Sequence, residues 1–117
     1  MNIEEIRDYC IHKKGATESF PFDNKVLVFK VMNKVFALTN IEEADSINLK
    51  FDPERAIELR EQFMGVNEGF HMSKKHWNTV LIESDVNQKL LEELINHSYA
   101  LIAGNLTKQK KEALNHQ

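Results

Sequence analysis

Two runs of β-branched and aromatic residues, Val26-Leu-Val-Phe-Lys-Val31 and Lys34-Val-Phe-Ala-Leu-Thr39, are separated only by Met32-Asn33. A two-residue break between such runs predicts a β-hairpin, because the tight hairpin turns match the right-handed twist of the strands they join. The middle of the chain is thereby committed to an antiparallel sheet. After a polar break at 40–45, Ser46-Ile-Asn-Leu-Lys-Phe51 alternates cleanly. Ile47, Leu49 and Phe51 share one face, and Ser46, Asn48 and Lys50 share the other. That pattern predicts a sheet with one packed face and one wet or lightly covered face. Phe70 to Met72 and Trp77 to Glu83 read as a second pair of strands.

Helices punctuate this order. Residues 2–13 carry Ile3, Ile6 and Cys10 on one stripe, and Gly15 stops the helix after the basic pair Lys13-Lys14. Pro21 stands between Phe20 and Phe22, in a connection predicted to be a loop anchored in the core. Asp52-Pro53 is a helix start, a capping aspartate followed by proline at the first helical position. The buried side of that helix is Ala56, Leu59 and Phe63, and Gly65 follows it. Asp85 with Gln88 makes a capping-box pattern for the last helix. Its apolar face runs through Leu90, Leu91, Leu94, Ile95, Ser98, Leu101 and Ile102. Residues 107–117 read as a frayed tail or a short extra turn. The expected fold is α+β, a five-stranded antiparallel sheet with helices packed on it, in the order α-β-β-β-α-β-β-α.

A chain of 117 residues with 42% hydrophobic residues buries enough surface for one domain spanning 1–117. Its net charge of -3 gives no whole-molecule attraction to phosphate polymers or anionic membranes. Charge is nevertheless segregated. Residues 42–61 hold seven acids against three bases, whereas 24–41, 69–82 and 94–111 hold no acid and carry three, two and three lysines. If the first hairpin, the 72–77 bend and the tail lie together, an acidic protein owns a basic face. Lysines scattered over several faces are the alternative.

The lone cysteine, Cys10, excludes an intramolecular disulfide and fits a reducing compartment. Met1-Asn-Ile-Glu-Glu-Ile6 is acidic and amphipathic, unlike a signal peptide, and no apolar run has the length of a membrane helix. A cytoplasmic protein without membrane contact is expected.

The distinctive polar cluster is Glu68-Gly-Phe-His-Met-Ser-Lys-Lys-His-Trp-Asn-Thr-Val-Leu-Ile-Glu83. The His71-Met-Ser-Lys-Lys-His-Trp-Asn-Thr-Val80 run within it, together with Tyr9-Cys10, Lys14-Gly-Ala16 and Ser98-Tyr99 ahead of Lys110-Lys111, resembles the MmcQ/YjbR family of small bacterial proteins. The resemblance covers nearly the whole chain. It implies a five-stranded antiparallel sheet with helices mostly on one face, similar to frataxin-like (CyaY-like) and secretion-chaperone-like domains and described also as a double-wing DNA-binding fold.

As a nucleic-acid wing, the bend would use Lys74 and Lys75 to neutralise phosphates, His71 and His76 to donate hydrogen bonds, and Trp77 to stack on an unpaired base. Lys30, Lys34, Lys108, Lys110 and Lys111 would be accessory cations. The competing reading makes Trp77 a core anchor and gives His71 and His76 the task of fixing the bend. His71 and His76 match no zinc spacing, and Glu4, Glu5 and Asp8 on the first helix are explained by the helix dipole, so no metal or cofactor is expected. Cys10 on an apolar stripe and four unclustered glycines give no support to an enzyme. A protein-interaction or chaperone-like module, homodimeric or holding another protein, remains the alternative to DNA binding. Its surface would be the less covered sheet face, with Val26, Val28, Val35 and Ala37.

Overall fold

The computed structural model describes residues 1–69 and 72–117. Its elements are α1 (Ile3–Ile11), β1 (Ala16–Ser19), β2 (Val26–Val31), β3 (Lys34–Asn40), β4 (Ser46–Lys50), α2 (Pro53–Gln62), β5 (Val66–Glu68), β6 (Trp77–Leu81), α3 (Gln88–Gly104) and α4 (Lys108–Asn115). The strands form one antiparallel sheet in the order β1-β2-β3-β4-β6-β5. The α+β class holds, but with six strands and four helices in place of five and three.

The hairpin is as expected. Met32 and Asn33 both take positive φ, 48° and 67°, the left-handed pair that a tight hairpin turn needs. Asparagine accepts that conformation readily, whereas methionine does so under the constraint of the strands on either side. The additional strand is β1, which pairs Ala16 with Val31 and Ser19 with Val28 at the sheet edge. Its sequence, Ala-Thr-Glu-Ser, lacks the alternation of a half-buried strand, so only the long-range pairing defines it. The first strand of the later pair is β5 at 66–68, upstream of the expected Phe70–Met72. Met72 lies in a bend, and Phe70 and His71 lie outside the described residues.

All four helices share one apolar core with one sheet face. Ile6 and Cys10 of α1, Ala56 and Leu59 of α2, Leu91, Leu94, Ile95 and Ile102 of α3, and Leu114 of α4 meet Leu27, Phe29, Val31, Ile47, Leu49 and Val80. The opposite face carries Val26, Val28, Val35, Leu38, Trp77, Thr79 and Leu81. Ala37 is not among them. The register shifts between the Phe29–Ala37 and Lys30–Val35 pairs, so that Phe36 is the extra, bulged residue on β3. Phe36 and Ala37 are consequently both buried on the core side, at 0% exposure.

Gly15 ends α1 at φ 71°, and a Cβ there would stand 2.5 Å from the Leu114 side chain. Glycine thus permits both the reversal of the chain and the seating of α4. The C-terminal segment is a helix, not a frayed tail. Thr107 caps it by accepting from Lys110 N at 3.2 Å, and Leu114 buries its apolar side. Phe20 and Phe22, expected to anchor their loop in the core, are instead 45% and 75% exposed.

Asp85 does not cap α3. Asn87 does, accepting from Leu90 N at 2.8 Å. The Asp85 carboxylate reaches across to the turn after α2, accepting from Met64 N and Gly65 N at 2.8 Å each. Those two donors hold its pKa below the usual aspartate range. The linkage has a definite sign. A depressed folded pKa contributes stability that is fully present above the unfolded value, about 3.9, and is lost as the pH falls through the folded value. Asp85→Asn is expected to lower Tm at pH 7 and to lose less Tm than the wild type below about pH 4. Calorimetric scans across pH check this. Parallel Tm curves for the two proteins would show that the clamp is not coupled to folding.

Candidate nucleic-acid interface

Strand direction decides which loops are neighbours. β2 and β4 run toward one end of the sheet, while β1, β3 and β6 start from it. At that end lie the Gly15 turn, the Met32-Asn33 turn, the end of β4 and the 72–76 bend. The Met32-Asn33 turn and the start of β6 are separated by two strand spacings, about 10 Å. The second half of α3 also reaches this end, where Tyr99 Oη donates to Lys14 O at 2.6 Å. There α4 follows, and Lys110 Nζ donates to Met32 O at 3.3 Å. Every lysine of the chain except Lys25 and Lys89 belongs to these segments or to the last rung of the strands leading into them.

The opposite end collects acids. Asp23 sits in the β1-β2 loop, Glu42, Glu43 and Asp45 in the β3-β4 loop, and Glu83 and Asp85 between β6 and α3. A chain of net charge -3 is therefore polarised along its strands, with a basic pole and an acidic pole. The acids at the basic pole are Glu68, Asp52 and Glu54 on the α2 side, and Glu112 on α4.

The bend itself is less available than its composition suggests. Ser73 O accepts from both His76 N at 3.2 Å and Trp77 N at 2.9 Å, and His76 O accepts from Phe51 N at 2.7 Å. His76 thus fixes the bend through its backbone and is half-buried. Lys74 Nζ stands 3.6 Å from a Glu68 oxygen, and Lys74 O accepts from Arg60 Nη1 at 3.0 Å. This draws the bend against α2. Trp77 is 9% exposed, with its side chain on the sheet face away from the helices, so little of its ring is open to a base. His71 lies outside the described residues. Of the bend's candidates, Lys75 is exposed and has no ion pair among the described residues.

The cations first assigned an accessory place are better presented. Lys34 is exposed beside the hairpin turn, Lys108 and Lys111 are exposed on α4, and Lys30 and Lys110 are half-buried. None of these lysines makes an ion pair among the described residues. Lys110 lines a shallow cleft of about 330 Å³ together with Gly15, Ala16, Thr17, Met32, Asn33 and Gln117. Lys14 extends the charge, with Nζ 3.2 Å from Asn115 O. Lys13 and Lys14, which close the cluster at the end of α1, were read in the sequence only as a helix terminus. Lys13 Nζ is held by Asn96 Oδ1 and lies over the Tyr9 ring, whereas Lys14 reaches α4, a contact that is tertiary.

No helix of the described residues is long and apolar enough to cross a membrane.

The family model called YjbR matches residues 11–101. Uncharacterized protein YjbR of Escherichia coli K12 is 32% identical over 115 residues, covering 97% of this chain and 98% of that protein. Uncharacterized protein YbdF of Escherichia coli O157:H7 is 33% identical over 94 residues, covering 80% of this chain and 77% of its own. Among solved structures, a Deinococcus radiodurans protein with the domain DUF419 superposes with a TM-score of 0.89 at 37% identity, over 97% of this chain and 88% of that one. A Pseudomonas syringae protein superposes with a TM-score of 0.74 at 28% identity, over 87% of this chain and 99% of that one.

Proposed function

The chain belongs to the YjbR family, and we propose that it binds nucleic acid through the lysine-rich end of its sheet, without catalytic chemistry of its own. One observation carries the reading. Three sequence segments far apart in the chain bring lysines that have no ion pair among the described residues to the same strand ends, while the loops at the other end carry six acids. Such a field orients a polyanion on a protein whose net charge would otherwise repel it. The contacts available are to phosphates, so the binding is weak, sequence-tolerant and salt-dependent. The burial of Trp77 favours backbone contacts over base stacking. A non-catalytic role is supported by Cys10, whose thiol burial pushes up to about 12, far from a nucleophile's range.

Fluorescence anisotropy with labelled single- and double-stranded DNA tests this. With about four phosphates engaged, affinity should fall roughly a hundredfold between about 50 and 200 mM salt. Lys34→Glu/Lys110→Glu is expected to lose at least about tenfold at the lower salt and to flatten the slope. Lys74→Glu/Lys75→Glu should lose less, because Lys74 is already paired. Equal weak signals from wild type and both variants, all folded by circular dichroism, would sink the proposal.

A second reading, a module that associates with protein, is supported by a separate observation, the two exposed phenylalanines of the β1-β2 loop at the acidic pole. Phe22→Asp leaves every lysine in place, so it should bind DNA like the wild type. Loss of DNA binding in that variant would count against a purely basic interface.

A further inference from the structure

Phe20, Phe22 and Ile41 are 45%, 75% and 40% exposed, and they lie in two adjoining loops at the acidic pole. The loops are tied together. Ile41 N donates to Lys25 O at 2.8 Å, and Lys25 Nζ pairs with Glu42 at 3.5 Å. They are also held in shape. Asp23 Oδ1 accepts from Lys25 N at 2.8 Å and Val26 N at 2.9 Å, and these bonds keep its carboxylate below the usual range. Single exposed apolar residues are ordinary on a protein surface, but three large ones on two loops hydrogen-bonded to each other point to a contact site. Beside these residues in the chain stand Glu42, Glu43 and Asp45, and among the described residues only Glu42 of the three has a basic partner.

The complementary surface is on the same chain. The cleft at the basic pole is lined by Gly15, Ala16, Thr17, Met32, Asn33, Lys110 and Gln117, and Lys14 and Lys34 are the chain neighbours of Gly15 and Asn33. One pole therefore offers exposed phenylalanines beside acids, and the other a cleft with Lys110 in its wall and further lysines next to it in the chain. They lie at opposite ends of the same strands, so no molecule can satisfy both by itself. We infer that the chain self-associates head to tail, with Phe22 of one copy entering the Gly15-Met32-Lys110 cleft of the next. The inference rests on the protein-interaction reading and is independent of the nucleic-acid one. A heterologous contact of this kind builds an open chain or a ring, not an isologous dimer. Nucleic acid at the basic pole would compete with it.

Sedimentation equilibrium from about 10 to 500 µM at low salt reads the association directly. The weight-average mass should rise with concentration and return to that of the monomer at about 500 mM salt, where the attraction between poles is screened. Phe22→Asp and Lys110→Glu should each stay monomeric where the wild type associates, a loss of at least about tenfold in association constant. The decisive sample is their mixture. Each variant retains the surface that the other lacks, so together they should form one-to-one pairs and nothing larger. A wild type that stays monomeric throughout, association that survives both substitutions, or a mixture that remains monomeric would each overturn the inference. DNA binding by Phe22→Asp, measured in parallel, keeps failure here apart from failure of the nucleic-acid reading.

Discussion

Phe36→Ala should lower the unfolding free energy by about 3–5 kcal/mol, the range for deleting a fully buried phenylalanine. The ring is 0% exposed. It meets Phe29 at 6.3 Å between centroids and Tyr99 edge-on at 5.3 Å, so it joins β2 and α3 through β3. Alanine would leave a cavity lined by groups from three elements, none of which can close on it without moving the others. Phe36 is also the bulged residue. With its anchor gone, β3 loses the reason to hold two consecutive side chains inward, and a register without the bulge would turn Ala37 or Val35 to the wrong face. Chemical denaturation measures the effect. A cost below about 1.5 kcal/mol would mean that the bulge is held by the backbone alone and that the aromatic contacts are incidental.

That residue also marks how far the sequence could be read. The hairpin was legible because Val26 to Thr39 carries its own turn and its own strand-forming residues. The bulge was not, since Val-Phe-Ala-Leu in Lys34 to Thr39 alternates no worse than a regular strand, and Ala37 therefore fell on the wrong face. Strand β1 was missed for a related reason. Ala16-Thr-Glu-Ser19 has no local preference strong enough to declare itself, and its existence depends on β2 being beside it. Asp85 and Gln88 formed a plausible cap pair, but Asn87 stands closer to the helix start, and Asp85 has two stronger donors at Met64 and Gly65.

The site followed the same rule. Acid-free segments can be counted in a sequence, but their meeting at one end of a sheet depends on strand direction. The Lys74-Lys75-His76-Trp77 run drew attention by its composition. Its tryptophan, though, is buried and its first lysine is matched by Glu68. The exposed cations come from Lys34, Lys75 and α4, where nothing local distinguishes them from solvated lysines. Exposure of Phe20 and Phe22 was equally hidden, because an apolar residue in sequence looks the same whether it packs inward or outward.

Ser98→Ala is the second large effect, and the more informative. Ser98 lies on the apolar face of α3 and is 0% exposed. The ladder between β3 and β4 is registered at Ala37 with Leu49 and Leu38 with Asn48, and goes no further. At the next rung the Ser98 hydroxyl stands between the strands, accepting from Lys50 N at 2.9 Å and donating to Phe36 O at 2.6 Å. A helix side chain thus completes the sheet where the bulge has spread it. Removing the hydroxyl leaves a buried N–H and a buried C=O without partners, which costs about 2–4 kcal/mol for the pair. The loss should be larger than for alanine at an exposed serine and should appear as faster amide exchange at Lys50. Because Ser98 bonds to the carbonyl of Phe36, the double variant with Phe36→Ala should fall short of the sum of the singles by at least about 0.5 kcal/mol. If Ser98→Ala costs less than about 1 kcal/mol and Lys50 stays protected, the strands close the rung directly, and the hydroxyl is an insertion that the sheet tolerates but does not need. In the expected case the clamp does more than hold a helix. It fixes the second half of α3 to the strand ends that carry Lys30, Lys34 and Lys50, and through α3 it sets where α4 brings Lys110. A stability measurement at one buried serine is then also a measurement of what assembles the basic pole.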